Sequence, residues 1–126
     1  MPRRQPHRIA IVDDDEAVLK ALCRVLNAWG FASETYATAR EFLESSRIRK
    51  PSCLILDLKL PGMTGLELLR HLARSGRSIP TIVITGHEAA DAFEGCLAAG
   101  AKACLRKPID DRELVGAITK AIGETN

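Results

Sequence analysis

The fold is decided by the stretch RIAIVDDDEAVLKAL at residues 8–22, where a strand pattern gives way to a helix pattern. Arg8–Val12 is a short, continuous and largely β-branched run, which is typical of a strand buried on both faces. From Glu16 to Trp29 the apolar residues instead recur at helical spacing, and Gly30 follows in the position that commonly ends a helix. The stretch therefore predicts a strand and then a helix, with three aspartates between them.

The same alternation of strand and helix patterns continues to the end of the chain. Four further strands are predicted at Phe31–Tyr36, Cys53–Leu56, Pro80–Ile84 and Lys102–Leu105. Four further helices are predicted at Thr38–Ser46, from Leu66 to near Gly76, at Glu88–Ala99 and at Asp110–Ile122. Five strands alternating with five helices favour one α/β unit, in which a mostly parallel sheet carries helices on both faces.

Length and composition limit the classes of protein that need to be considered. The 126 residues fit a single domain, and 46% hydrophobic with 27% charged residues is close to the average for globular proteins. No apolar run approaches the roughly 20 residues that span a bilayer, and no signal peptide is evident. We therefore expect a cytoplasmic protein without membrane contact.

The excess of positive charge comes from the N-terminal residues. Eighteen Lys and Arg residues against sixteen Asp and Glu residues give a net charge of +2. Arg3, Arg4 and Arg8 lie within the first eight residues, so the rest of the chain is nearly neutral and offers no basic surface for nucleic acid. We expect residues 1–7 to form a basic tail, residues 8–123 to form the domain and residues 124–126 to form a C-terminal end.

The four cysteines carry no metal or disulfide signature. They are far apart in sequence and lie in apolar segments, at Cys23, Cys53, Cys96 and Cys104. No C-x-x-C pair is present, and no histidine stands at ligand spacing from any of them. Reduced and mostly buried thiols are therefore expected.

Polar residues stand where the predicted strands end. The first strand runs into the aspartates at 13–15, the third into Asp57, the fourth into Thr85 and the fifth into Lys107. In open α/β sheets the chemistry collects beyond the carboxyl ends of the strands, so we expect these side chains to share one edge. Taken singly they have simpler explanations, such as helix capping for Asp15. Their convergence favours a site.

The charges of this edge predict what it binds. Asp13, Asp14, Asp57 and Lys107 sum to −2 when all are ionised, and a divalent cation brings the sum to zero. A few oxygen ligands open to water suit Mg²⁺, which also tends to bind phosphate. Lys107 can neutralise a phosphoryl oxygen, and the Thr85 hydroxyl can meet another. The edge therefore predicts a phosphoryl site at which a carboxylate can act as acceptor.

Four stretches carry a close resemblance to a known family, and together they extend from Arg8 to Ile122: IAIVDDDEAVLKAL, CLILDLKLPGMTGLELL, PTIVITG and AGAKACLRKPID. The chain resembles the CheY-like receiver domain of two-component response regulators, and most of all the receivers that precede a helix-turn-helix DNA-binding output. The resemblance implies a flavodoxin-like fold, a five-stranded parallel sheet of order 2-1-3-4-5 with five helices on both faces.

The resemblance also assigns roles at the acidic edge. Asp57 matches the aspartate that accepts a phosphoryl group from a phosphohistidine on a sensor histidine kinase or a phosphotransfer protein. Asp13 and Asp14 match the acidic pair that holds Mg²⁺ with Asp57 and the backbone carbonyl of Lys59. Asp14 is expected to bind the ion directly and Asp13 through water.

The remaining implied roles concern switching and partners. Thr85 matches the switch hydroxyl, and Lys107 matches the lysine that binds the phosphoryl group. Pro108 is expected to follow a cis peptide bond, which is plausible because the bond precedes proline. The resemblance further implies a DNA-binding output outside this chain and a homodimer formed on phosphorylation.

Three residues depart from the family pattern or flank the site. Cys104 stands where the family usually carries Tyr or Phe, whose ring moves inward on activation. We therefore hypothesise that Gly86, His87 and the start of the next helix carry more of the switch. Lys59 and His87 flank the site and are predicted to modulate the lifetime of the phosphoryl group, although both could simply point into solvent.

A phosphatase of the haloacid-dehalogenase type is the alternative interpretation. In it Asp13, at the start of an Asp-x-Asp motif after a strand, is the nucleophile, and Asp15 is the acid/base. The threonine that normally follows this motif is missing, and Asp57 has no role. We therefore expect a signalling phosphoacceptor rather than an enzyme.

Overall fold

The computed structural model describes residues 7–46, 49–86 and 92–124. The strands are β1 (Arg8–Val12), β2 (Ala32–Tyr36), β3 (Cys53–Asp57), β4 (Thr81–Thr85) and β5 (Ala103–Arg106). The helices are α1 (Glu16–Ala28), α2 (Ala39–Ser46), α3 (Gly65–Arg74), α4 (Ala92–Ala98) and α5 (Asp111–Glu124). Strands and helices alternate as predicted. None of the helices in these described ranges has the length and apolar character needed to cross a bilayer.

The five strands form one parallel sheet in the order β2-β1-β3-β4-β5, which confirms the expected fold class. Every residue of β3 and β4 is buried. The edge strand β2 is only partly buried, as its alternating sequence predicted. Because all strands are parallel, their carboxyl ends meet at one edge of the sheet.

The sheet separates two hydrophobic cores, since successive residues of a strand point to opposite faces. Ile9 and Ile11 of β1 pack into the core formed with α1 and α5. Ala10 and Val12 pack into the core formed with α2, α3 and α4. The helices therefore cover both faces, and the buried strands hold their polar ends at fixed positions.

Three strands extend one residue further than the hydrophobic pattern indicated, since β5 also ends one residue later, at Arg106. Asp57 and Thr85 are the last residues of β3 and β4 rather than the residues that follow them. Asp57 pairs with Ile84, and Thr85 pairs with Arg106, because backbone pairing does not depend on side-chain polarity. The start of the fourth helix and His87 lie outside the described residues.

Side-chain caps begin the helices on both sides of β2. Asp15 Oδ1 accepts hydrogen bonds from the backbone N–H groups of Ala17 (2.9 Å) and Val18 (3.4 Å), which confirms its expected capping role. Thr38 Oγ1 accepts from the Glu41 N–H at 3.1 Å, as predicted for α2. The Asp15 side chain therefore serves as the N-cap of α1.

The cysteines are free thiols. Cys53 and Cys96 are buried, whereas Cys23 and Cys104 are partly buried. This agrees with the reduced thiols that the sequence predicted. Burial raises the pKa of the Cys53 thiol to about 12, so this group stays protonated at neutral pH.

Candidate functional site at the carboxyl edge of the sheet

Three polar side chains are buried at the carboxyl edge of the sheet. Asp13, directly after β1, is 0% exposed, Asp57 is 6% exposed and Thr85 is 1% exposed. Asp14 lies beside them and is exposed. Burying carboxylates is costly unless they are paired with a cation or neutralised. The edge therefore has the electrostatic character of a binding site.

Lys107 bridges the two buried carboxylates. Its Nζ lies 3.3 Å from Asp13 Oδ2 and 3.6 Å from Asp57 Oδ1. The backbone positions it, because Lys107 directly follows β5 and its N–H donates to the carbonyl oxygen of Thr85 at 2.8 Å. The side chain is 32% exposed, so the ammonium group is reachable from solvent.

The same carboxylates fit a divalent cation. One oxygen atom from each of Asp13, Asp14 and Asp57 lies within 4.8 Å of the others. Asp13 already accepts the Asp15 backbone N–H with Oδ1 (2.9 Å) and faces Lys107 with Oδ2, which suits contact with an ion through water. An oxygen-only set that is open to solvent at Asp14 is the donor chemistry that Mg²⁺ prefers.

Burial, and secondly the neighbouring carboxylates, disfavour the ionised form of Asp57. Burial raises the pKa of Asp57 above its ordinary value of 3.8, and the neighbouring Asp13 carboxylate raises it further. Lys107 and the backbone N–H of Lys59 lower it without reversing the direction. The ionised carboxylate therefore reduces the free energy of unfolding, and a cation or a neutral replacement should restore it.

We expect Asp57→Asn to raise Tm at neutral pH by about 3–5 °C, on the order of 1 kcal/mol, because it removes a buried charge beside Asp13 at nearly constant volume. The folded-state pKa of Asp57 exceeds its unfolded value, so the penalty is absent below about pH 3.8 and complete above the folded-state pKa. The gain should therefore shrink as the pH falls towards 3.8. Thermal unfolding across this range measures it, with the exposed Asp14→Asn as a control of smaller effect. A lower Tm for Asp57→Asn at neutral pH would show that the buried charge of Asp57 does not destabilise the fold.

The ends of β4 and β5 complete the edge. Thr85 Oγ1 donates to the carbonyl oxygen of Gly86 at 3.4 Å, which is a long and weak hydrogen bond. The peptide bond between Lys107 and Pro108 is cis. The Thr85 hydroxyl is thus held loosely at the edge that also carries Asp57.

Gly65 is a positioning residue that the sequence reasoning missed. A Cβ atom at Gly65 would lie 2.4 Å from the carbonyl oxygen of Asp57 and 2.8 Å from Cα of Leu58. Its N–H donates to the carbonyl oxygen of Leu58 at 3.0 Å. The sequence pattern predicted this helix only from Leu66 and gave Gly65 no role. Its position at the start of a helix, directly after the capping residue Thr64, was the signal available.

The structure treats the three residues Lys59, His87 and Cys104 differently. The Lys59 N–H lies 3.4 Å from Asp57 Oδ1, and the side chain of Lys59 is exposed. Its carbonyl as a metal ligand and its side chain as a modulator stay predictions. His87 lies outside the described residues. Cys104 is partly buried, and its thiol donates to the carbonyl oxygen of Phe93 in α4 at 3.7 Å.

Known proteins resemble this chain along most of its length. A model of the response regulator receiver domain matches residues 9–119. The response regulator protein TodT of Pseudomonas putida is 39% identical over 114 residues, which cover 90% of this chain and 50% of that protein. The transcriptional regulatory protein FixJ of Rhizobium meliloti is 37% identical over 115 residues, which cover 91% of this chain and 56% of that protein. The chain thus spans about half the length of these relatives.

Solved structures give the same result. The crystal structure described as FixJ-N superposes with a TM-score of 0.88 and 37% identity, covering 95% of this chain and 96% of that one. These findings give no support to the phosphatase alternative. Its proposed acid/base, Asp15, caps α1, and Asp57, which it left without a role, lies beside Lys107.

Proposed function

Because the chain belongs to the response regulator receiver family, we propose that this two-component signalling domain accepts a phosphoryl group on Asp57. The observation that carries the proposal is the position of Lys107, whose Nζ lies 3.6 Å from Asp57 Oδ1 and 3.3 Å from Asp13 Oδ2. A fixed cation beside a carboxylate at a strand end is suited to an incoming phosphoryl group. A simple surface ion pair would not bury two carboxylates around one ammonium group.

The chemistry follows from this geometry. An Asp57 oxygen forms a bond to phosphorus while the phosphorus–nitrogen bond of a phosphohistidine breaks, and the imidazole leaves. Negative charge spreads over the phosphoryl oxygens during transfer, and the Lys107 ammonium stabilises it. The buried strand β3 and the contact with Gly65 hold Asp57 in place, so its carboxylate is already oriented towards the site before the phosphoryl group arrives.

Asp13, Asp14, Asp57 and the carbonyl oxygen of Lys59 would hold Mg²⁺ at this edge. The proximity of the three carboxylates supports this assignment. When bound, Mg²⁺ supplies positive charge that offsets both the carboxylates and the phosphoryl oxygens. Asp14, the exposed member, would contact the ion directly, and Asp13 through water.

The phosphorylated aspartate then acts as a switch. The added charge attracts the Thr85 hydroxyl and the Lys107 ammonium, which biases the loop after β4 between two arrangements. Since Cys104 replaces the usual aromatic ring, Gly86, His87 and the start of α4 carry more of the change. Lys59 tunes how long the phosphoryl group persists, which the dephosphorylation rate of Lys59→Ala relative to the parent measures.

The partners of this domain follow from its class. The phosphoryl donor is a sensor histidine kinase or a phosphotransfer protein. The relatives are about twice as long, and FixJ is named as a transcriptional regulator, which supports a DNA-binding output outside this chain. Homodimer formation on phosphorylation and a cytoplasmic location belong to the same proposal.

Intact-mass measurement with acetyl phosphate and Mg²⁺ tests the acceptor. We expect the parent to gain about 80 Da, Asp57→Asn to gain nothing, and Asp15→Asn to behave as the parent because asparagine also caps helices. Removing Mg²⁺ with a chelator should suppress the adduct. An adduct of the same mass on Asp57→Asn would show that another residue is the acceptor.

A further inference from the structure

Two cysteines that are eight residues apart in sequence meet between α4 and β5. Cys96 lies in α4 and Cys104 in β5, and the two side chains interact where this helix packs against this strand. Cys96 is 1% exposed and belongs to the core on that face of the sheet, and Cys104 packs against the same core. Cys23 and Cys53 lie in the core on the opposite face. The contact therefore distinguishes this pair from the other two thiols.

Two further contacts hold α4 and β5 together beside the cysteines. The Cys104 thiol also reaches the carbonyl oxygen of Phe93, one turn before Cys96 on α4. The guanidinium carbon of Arg106 lies 5.4 Å from the centre of the Phe93 ring, which adds a cation–π contact between β5 and α4. Both contacts involve Phe93 and link β5 to α4 beside the two cysteines.

We propose that Cys96 and Cys104 form a redox-active dithiol, which hydrogen peroxide converts to a disulfide that joins α4 to β5. One thiolate attacks the peroxide and becomes a sulfenic acid with release of hydroxide, which takes up the thiol proton as water. The second thiol displaces the sulfenic hydroxyl as a second water. Two thiols and one hydrogen peroxide thus give one disulfide and two waters. Sulfur is oxidised and peroxide oxygen is reduced.

Burial favours the protonated form of both thiols. Burial raises the pKa of Cys104 to about 11, and burial also raises the pKa of Cys96. The hydrogen bond with Cys104 and the positive charge of Arg70 oppose this rise at Cys96. The raised pKa values make the reaction slow, and the contact makes it selective.

The disulfide fixes the strand to the helix beside it. Under the proposed function, Cys104 occupies the position at which the family usually carries a moving ring, so oxidation would hold this part of the domain in one arrangement. That consequence rests on the proposed function, whereas formation of the disulfide does not. Asp57→Asn should form the disulfide as readily as the parent, so the two proposals fail separately.

Peptide mapping after hydrogen peroxide treatment and alkylation of the remaining thiols tests the proposal on the whole chain. Trypsin cleaves after Arg77, Lys102 and Arg106, which places the two cysteines on separate peptides, 78–102 and 103–106. We expect these peptides to be joined, the intact mass to fall by about 2 Da, and a reducing agent to reverse both. Recovery of both peptides unjoined after treatment would overturn the proposal.

Matched serine variants identify the pair. Cys23→Ser should lose about 2 Da on oxidation as the parent does. Cys104→Ser should not, and should instead gain about 16 Da at Cys96 as a sulfenic acid that a dimedone-type reagent captures. A loss of about 2 Da that persists in Cys104→Ser would mean that a different pair reacts. Serine differs from cysteine by one atom, and unchanged thermal unfolding of the reduced variants confirms that the fold is intact.

Discussion

Lys107→Met is expected to slow phosphoryl attachment to Asp57 by about 100- to 1,000-fold, the usual cost of removing one fixed donor from a site where charge develops. Methionine preserves the length of the side chain and removes its charge. The ammonium group that faces both Asp13 and Asp57 is then missing when the phosphoryl oxygens arrive. The rate of the adduct of about 80 Da from acetyl phosphate measures the effect. A rate equal to that of the parent would remove Lys107 from the mechanism.

The same variant should also lower the free energy of unfolding at neutral pH. Breaking a buried ion pair costs about 3–5 kcal/mol, and the partial exposure of Lys107 reduces this to about 1–3 kcal/mol here. Because Lys107 lowers the pKa of Asp57, its loss raises that pKa further. The part of the destabilisation that comes from Asp57 should therefore shrink as the pH falls towards 3.8, below which Asp57 is protonated in both states.

A double variant separates stability from chemistry. Combining Lys107→Met with Asp57→Asn should recover part of the lost stability, because one of the two buried carboxylates is then neutral while Asp13 stays charged and without Lys107. It should not recover phosphorylation, because the acceptor is missing. Chemical denaturation of the four proteins gives the coupling between the two residues. A double variant as unstable as Lys107→Met would show that the stabilising effect of Lys107 does not act through Asp57.

Gly65→Ala is expected to lower stability by about 2–3 kcal/mol and phosphorylation by at least about tenfold. The added methyl group would lie 2.4 Å from the Asp57 carbonyl oxygen and 2.8 Å from Leu58 Cα. Both atoms belong to the backbone and cannot rotate away. The start of α3 and the end of β3 must therefore separate, which displaces Asp57.

Gly116→Ala in α5 is the matched control for this substitution. Gly116 is exposed, and a Cβ atom there would meet no atom within 4 Å. Alanine in a helix interior should therefore stabilise the domain by about 0.5–1 kcal/mol. The same chemical change thus gives opposite signs at two positions. Equal destabilisation at both would point to a general intolerance of alanine and away from the contact with Asp57.

The sequence predicted the elements and the edge because both depend on local patterns. Buried strands show as continuous apolar runs, and Asp57 and Thr85 were recognised since they end two of them. The strand order followed from the resemblance and not from the pattern. The contacts of Gly65 and of Cys96 with Cys104 were not predictable, because periodicity identifies the buried face of a helix but not the atoms that it meets.

The acidic edge is assembled from distant parts of the chain. Asp13 follows β1, Asp57 ends β3, and Lys107 follows β5, so the first and last of them are 94 positions apart. A molecule in which β5 has frayed from β4 keeps both carboxylates but lacks their cation. Under the proposed function, a chain in which β5 has not paired with β4 should therefore accept the phosphoryl group poorly.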